Sequence, residues 1–594
     1  MSMKNSLMVG AAMIIASGVG TLGISTGAGD DHPPFVDPFI MNQAICAPVD
    51  GRASRKATFM RLGYAMAQSA DGVADVEDLQ ADTIANVAYR VSTSSEEAQD
   101  WFNRGLAYTF GFNHAAAIEA FKRAQAADPN CAMCYWGEAF AWGPNINAPM
   151  VEEAYAPAME AVHQAQRRAT QIGEVERALI MAIGQRYTVE PPEDRLPLDA
   201  AFADAMDDAA KRFPDDDLVA VIAAEANMDT QAWAYWDGTG RVPEGRTART
   251  IELLEDVLAR APNYPPAIHL YIHITEASTD PFRAAPHADR LATLAPDLGH
   301  LLHMPSHTYF RIGRWEQSLE HNIAAVAKDQ AFLDAHEASP LYEFGYFTHN
   351  IHFALTSAQM GGDRSTALEM AEMLDAKLPA EMAATQPWIQ PIKAAPYYAM
   401  VQFADPQDIL ELPDPGEALP YLKGAWHYAR GEALSRLGRT GEARMEAKYL
   451  EALMTADLTA LEDGGVPATG VLDLSRHTVL ARAAAADGDY KTAVAHMEEA
   501  VALQDSFPYT EPPYWYYPAK QTLAAMVLRA GDGERAEQLF TETLVYSPNN
   551  AYAYFGLAEA YRAQGDRRAG RYASRLYRDA WLGGRGGRPT IEHL

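Results

Sequence analysis

The stretch WFNRGLAYTFGFNHAAAIEAFKRAQAADP, residues 101–129, decides the fold. Trp101, Gly105 and Tyr108 recur at helical spacing on its first half, and Ala117, Phe121 and Ala124 on its second. Gly111-Phe112 breaks the run between them and Pro129 closes it. Gly and Ala let two helices approach, while Trp, Tyr and Phe fill the space between them. The spacing therefore predicts a helix, a tight turn and a second helix packed on the first.

Outward from this unit the pattern returns. Gly431, Leu434 and Ala443 mark one copy, with a turn at Gly438-Arg439, and Ala481, Ala484, Ala493, Met497 and Ala500 another, with a turn at Asp487-Gly488. Ala524, Ala536, Phe540 and Pro548 mark a third, followed by Tyr554, Ala558 and Tyr561. Large and small residues at these offsets resemble the tetratricopeptide repeat, a helix-turn-helix unit of about 34 residues. The resemblance covers roughly 96–580, with degenerate units in 150–260 and 360–420. It implies an all-α fold, a right-handed superhelix in which the first helix of each unit lines a concave groove. Such a fold names no function, and arrays of this kind usually bind partners.

The chain has 594 residues, 48% of them hydrophobic, enough for a large core. Lys plus Arg number 48 against 79 Asp plus Glu, a formal net charge of −31. That balance excludes nucleic acid or an anionic membrane surface as the main partner. Lys4, the apolar run Leu7–Leu22 and the small residues Ser25–Ala28 have the order of a secretory signal, predicting cleavage near Ala28 and an exported, periplasmic protein without a stable membrane span. Gly23-Ile24-Ser25-Thr26-Gly27 fits the nucleophile-elbow pattern but lies in that segment, outside any strand-turn-helix context. The expected organisation is a signal at 1–28, a linker and irregular segment at 29–95, one array at 96–360 carrying the site, and a second at 361–594.

The chemistry is expected between 225 and 352. Pro262 and Pro296 lie one period apart, and each is followed seven and eleven residues later by histidine: His269 and His273, then His303 and His307. An i, i+4 pair shares one helix face, and Glu276 falls on the stripe of His269. Glu225 follows Pro214 by the same eleven residues. Aligning the Gly362-Asp363-Arg364 turn with Gly313-Arg314-Trp315 places His352 where His303 sits and His349 where His300 sits. Six histidines, His269, His273, His303, His307, His349 and His352, are thus the expected metal ligands, with His300 a weaker member. Glu225 and Glu276 are the expected carboxylates for bridging or proton transfer. Imidazole-rich ligation suits copper, zinc or iron better than calcium or magnesium. The alternative is that the histidines are packed side chains or polar groove residues that contact a peptide.

Cys131 and Cys134, i and i+3 at a helix start, are expected to form a disulfide, with a redox or soft-metal role as the alternative. Cys46 is the odd cysteine. Glu511–Pro518, with Tyr514, Trp515, Tyr516 and Tyr517, reads as an aromatic turn that either packs between repeats or lines one end of a groove. Phe112-Asn113-His114, Cys131–Asn147, His269–Ser278, His303–Trp315, Tyr346–Phe353 and Pro513–Pro518 together resemble a family of exported bacterial tetratricopeptide proteins. The resemblance implies one functional constellation and brings no reaction with it. Three functions stay open: a metalloprotein holding one or two transition-metal ions, possible as a metal-dependent oxidoreductase or hydrolase on a small or peptide substrate; a non-enzymatic scaffold for envelope proteins; and copper storage or delivery.

Overall fold

The computed structural model describes residues 79–584 and 587–594. Among them there is no strand, only isolated bridges at Asn145–Ala148 and Trp236–Pro243. The chain is a succession of helices packed in consecutive pairs, an all-α array of stacked helical repeats. The segment 1–78, with the signal at 1–28, most of the linker and Cys46, lies outside the described residues.

The helices that frame the site, labelled in chain order, are α1 (Glu96–Phe110), α2 (His114–Ala127), α3 (Asp217–Asp229), α4 (Pro265–Glu276), α5 (Gly299–His303), α6 (Pro305–Arg311), α7 (Trp315–Ala335) and α8 (Phe347–Gly361). Beyond them run the pairs Pro420–Arg436 with Thr440–Leu453, Ala468–Ala486 with Tyr490–Ser506, Ala519–Arg529 with Gly533–Tyr546, and Ala551–Ala563 with Arg567–Ala580.

The large-small pattern has a direct steric cause. The buried Phe121 ring lies where a Cβ on Gly105 would come within 2.5 Å of it, and one on Gly137 within 2.3 Å. Three helices therefore meet on one ring because two of them carry no side chain at the contact. Gly556 stands in the same relation to Phe540. Asn113 caps α2 by accepting from the Ala116 amide, and Asp489 and Asp532 cap later helices in the same way.

Most turns between paired helices place glycine in the left-handed region, as at Gly313 and Gly488. The turn between α1 and α2 does not. Phe112 occupies that conformation with φ 56°, and a side chain there costs roughly 1 kcal/mol or more.

One continuous core runs from Leu79 to Tyr346 and a second from Leu319 to Leu594, overlapping at α7 and the approach to α8. The C-terminal repeats return to α6–α8: Trp315 donates its indole N–H to the Pro548 carbonyl at 3.1 Å, and the Leu582 amide donates to the Gly361 carbonyl at 2.9 Å. The expected concave groove is therefore covered at the site, and its histidines are buried except for the half-buried His349.

Candidate metal centre

Three elements carry the histidines. On α4, His269, His273 and Glu276 occupy one stripe, each no more than 1% exposed. His300 and His303 lie on α5 and His307 on α6, with Pro305 interrupting the helix between them. His349 and His352 lie on α8, which is entered through a π-helical turn at Tyr342–Tyr346.

The one-period offset brings α4 and α6 side by side, with the His273 and His307 ring centres 5.6 Å apart. Potential ligand atoms converge in three sets, each within 4.8 Å: His269, His273 and His300; His303, His307 and His349; and Glu276, His307 and Glu511. The Nε2 atoms of His269 and His300 are 3.0 Å apart, and those of His303 and His307 2.8 Å apart.

Hydrogen bonds assign the proton positions. The Asn322 amide on α7 donates to the Ser318 carbonyl at 2.6 Å, which turns its Oδ1 toward His303. The His303 Nδ1–H donates to that oxygen at 2.6 Å, so its Nε2 keeps a lone pair. His307 Nε2 then donates to it. On the other side of the His307 ring, Nδ1 lies 2.7 Å from Glu276 Oε2 and 2.8 Å from Glu511 Oε2. Both nitrogens of His307 are donors, which makes it an imidazolium.

The electrostatics agree. Burial disfavours charge on His307, but the Glu276 and Glu511 carboxyl groups outweigh it and raise the pKa to about 10. Burial raises Glu276 as well, yet the charge of the facing His307 and the nearby His273 bring it down to about 2. Two carboxyl groups facing one imidazolium cannot both ionise cheaply; burial and the Glu276 charge push Glu511 up to about 8. Burial, reinforced by neighbouring imidazoles, holds His269, His300, His303 and His349 neutral, well below the usual histidine range. Neutral imidazoles are the form that binds a metal ion.

The structure brings together five of the six expected ligands, and Glu276 with them, and adds His300 on equal terms. His352 and Glu225 stand apart. The His352 Nε2 faces the Tyr516 hydroxyl at 3.0 Å, and His352 belongs to none of the three ligand sets. Glu225 is drawn to a different cluster, where the buried Arg186 pairs with Asp229 at 2.9 Å. His114, at the start of α2, faces the Asn145 amide at 3.4 Å. Cys131 and Cys134 are joined through their sulfurs, with Cα atoms 5.4 Å apart.

Sequence reasoning reached Phe112 only as a turn residue and through the family resemblance, and Glu511 only as the start of the aromatic turn, and gave neither a contact with the histidines. Glu511 sits in the aromatic turn 507–518, which crosses the site, and the Tyr509 hydroxyl bonds to its second oxygen. The Phe112 ring packs 4.5 Å from the His269 ring and 4.9 Å from that of His300. Beside the histidines is a cavity of about 110 Å³, walled by Trp233, Tyr346, Trp388, Tyr514 and Tyr516, with His273, His300, His307, His349 and Glu511 in its lining.

Residues 99–131 match the sequence model of the tetratricopeptide repeat. No curated protein matches the chain. Among solved structures it is similar to the human IFIT1 dimer with m7Gppp-AAAA, at 11% identity over 87% of this chain and 99% of that one, with a TM-score of 0.27. It is similar to Naa15/Naa10 bound to HypK-THB, at 12% identity over 82% and 73% and a TM-score of 0.22. A third is the P58(IPK) TPR domain, at 14% identity over 56% and 89% and a TM-score of 0.18.

Proposed function

We propose that this tetratricopeptide-repeat protein is a metalloprotein that holds one or two transition-metal ions, copper, zinc or iron, among His269, His273, His300, His303, His307 and His349. The observation that carries the reading is the convergence of six imidazoles, five buried and His349 half-buried, four of them held strongly toward the neutral form, on two neighbouring points. Packed histidines normally satisfy their ring nitrogens with carbonyl or carboxylate partners. Here Nε2 faces Nε2 in two pairs, and His300 Nδ1 has no hydrogen-bond partner. Two adjacent ions would share the region around His273 and His307, with Glu276 and Glu511 as carboxylate ligands or proton carriers.

A metal bound there would supply Lewis-acid or redox chemistry to a small molecule in the adjoining cavity. The cavity's size favours a small substrate over a peptide, and residues of the turn 507–518 line it, with Glu511 against His307. Export remains part of the reading. The Cys131–Cys134 bond supports an oxidising compartment, and an intact mass beginning near residue 29 is its check. No helix among the described residues is long and apolar enough to cross a membrane.

Elemental analysis of untagged protein, purified and then exposed to copper, zinc and iron in turn, tests the centre. Retention of one or two equivalents after gel filtration is expected. Retention below a tenth of an equivalent for all three would remove the proposal and leave a scaffold whose histidines only pack.

A further inference from the structure

The cavity beside the histidines has a chemical character of its own. At about 110 Å³ it is somewhat smaller than the roughly 150 Å³ apolar cavity that accepts benzene. Its wall has no lysine or arginine. A carboxylate or phosphate entering it would lose its hydration with no unpaired cation of the wall to replace it. The one imidazolium nearby, His307, is already matched by Glu276 and Glu511.

One polar group in the wall is left without a partner, and a second keeps spare capacity. The Trp388 indole N–H is buried without an acceptor, in a residue 6% exposed. Glu511 lines the same space; its oxygens already accept from Tyr509 and His307, and each carboxyl oxygen has room for one more donor. An indole N–H asks for an acceptor, and a carboxyl oxygen asks for a donor. A hydroxyl group supplies both. The remaining wall, with Tyr346, Tyr514 and Tyr516 at its centre, offers aromatic edges and faces suited to a flat ring.

We infer that this cavity binds a neutral single-ring phenol, with its ring among the aromatic side chains and its hydroxyl toward the histidine cluster. The inference deepens the proposed function by naming the substrate class, and it rests on that reading only in placing the ring next to a metal. The cavity itself belongs to the protein chain, so binding is testable without metal.

The experiment uses full-length protein treated with chelator, with tryptophan fluorescence and calorimetry as readouts. Phenol, toluene, benzoate and a glycine tripeptide are titrated in parallel. Phenol should bind saturably at one site, toluene about fivefold more weakly for loss of its polar contacts, and benzoate and the peptide at least tenfold more weakly. Trp388→Phe keeps a ring and removes the N–H; it should weaken phenol about fivefold and leave toluene unchanged. Ile392→Trp fills the space and should abolish binding of both rings. Benzoate binding as tightly as phenol overturns the assignment, as does undiminished phenol binding by a folded Ile392→Trp protein. Should that variant not fold, the ligand series on the unmodified chain decides alone.

Elemental analysis of the same preparation before chelation separates the two readings. A protein that retains metal but ignores phenol refutes the cavity assignment and leaves the metal centre standing. One that binds phenol but takes up no metal supports the cavity and removes the centre.

Discussion

Replacing Asn322 with alanine tests the metal centre at a residue that is not itself a proposed ligand but orients one. Asn322 is fully buried on α7, its amide committed to the Ser318 carbonyl and its Oδ1 to the His303 Nδ1–H. The variant leaves a buried N–H without its partner, which costs roughly 1–3 kcal/mol. Ser306 Oγ, 3.3 Å from the same nitrogen, can accept a longer bond and holds the loss toward the lower end. The functional effect is separate. Without the Asn322 acceptor the His303 proton is free to move to Nε2, and the lone pair that would face the metal is lost. Removing a partner of this kind from a ligating histidine lowers metal affinity by roughly 10–100-fold. Competition against a chromophoric chelator measures it, with circular dichroism to confirm the fold. Asn322→Asp keeps an acceptor at the same place and should restore most of the affinity. Affinity of the alanine variant within twofold of the parent would refute both the tautomer assignment and the role of His303 as a ligand.

Three further outcomes follow from the geometry. Zinc binding at pH 7.5 should release about one proton, because the His307 Nε2–H, on a ring held protonated to about pH 10, must leave before a metal can take its place; an indicator in weak buffer reads it, and no release would exclude His307 as a ligand. Metal-free protein should unfold at lower urea concentration at pH 5.5 than at 7.5. His114, His269, His273, His300, His303, His349 and His352 all have pKa values lowered first by burial, so the unfolded chain takes up protons below about 6.5 that the native site refuses, each worth up to about 1.4 kcal/mol per pH unit. His307, Glu511, Glu225 and Asp229, raised in the fold, act in the opposite sense but are outnumbered, and an equal or higher midpoint at pH 5.5 would contradict this account. Gly137→Ala should lower the thermal midpoint, because the new Cβ meets the Phe121 ring at 2.3 Å and overpacking of roughly 1–3 kcal/mol exceeds the gain of about 1 kcal/mol in helix propensity. Gly441→Ala, with open space around it, should raise the midpoint slightly, and a shared sign for the two would count against the packing argument.

The repeat and the facing of His269 and His273 toward His303 and His307 were legible in the sequence because both depend on a count of residues. A stacked array converts a one-period offset into adjacency, and the two pairs lie where that rule puts them. The count fails where the helices are not continuous. Aligning the later turns put His352 in the place of His303, but Pro305 interrupts α5 and α6 while α8 is entered through a π-helical turn. The register shifts, so that His349 meets His303, with ring centres 4.8 Å apart, and His352 turns to Tyr516. Glu225 shares the offset of His273 from its proline, yet it belongs to none of the three ligand sets and feels instead the charge of the buried Arg186, an influence that spacing cannot carry.

Glu511 was beyond any periodic argument. It lies 204 residues from His307 and reaches it only because the C-terminal repeats return over α6–α8. That return also turns the expected concave groove into a covered site, so substitutions at its histidines disturb packing as well as ligation. Phe112 is different, because its signal was present in the sequence. The first unit has a Gly111-Phe112 turn where later units place glycine in the left-handed position, as at Gly313 and Gly488. A phenylalanine there pays a backbone cost that glycine would avoid, and the strain persists only if the ring is worth more than the conformation costs. Its ring lies against His269 and His300. It keeps water from that side of the cluster and sustains the low polarity that holds those imidazoles neutral. A bulky residue at a turn position that the rest of an array gives to glycine thus marks the unit that borders the site.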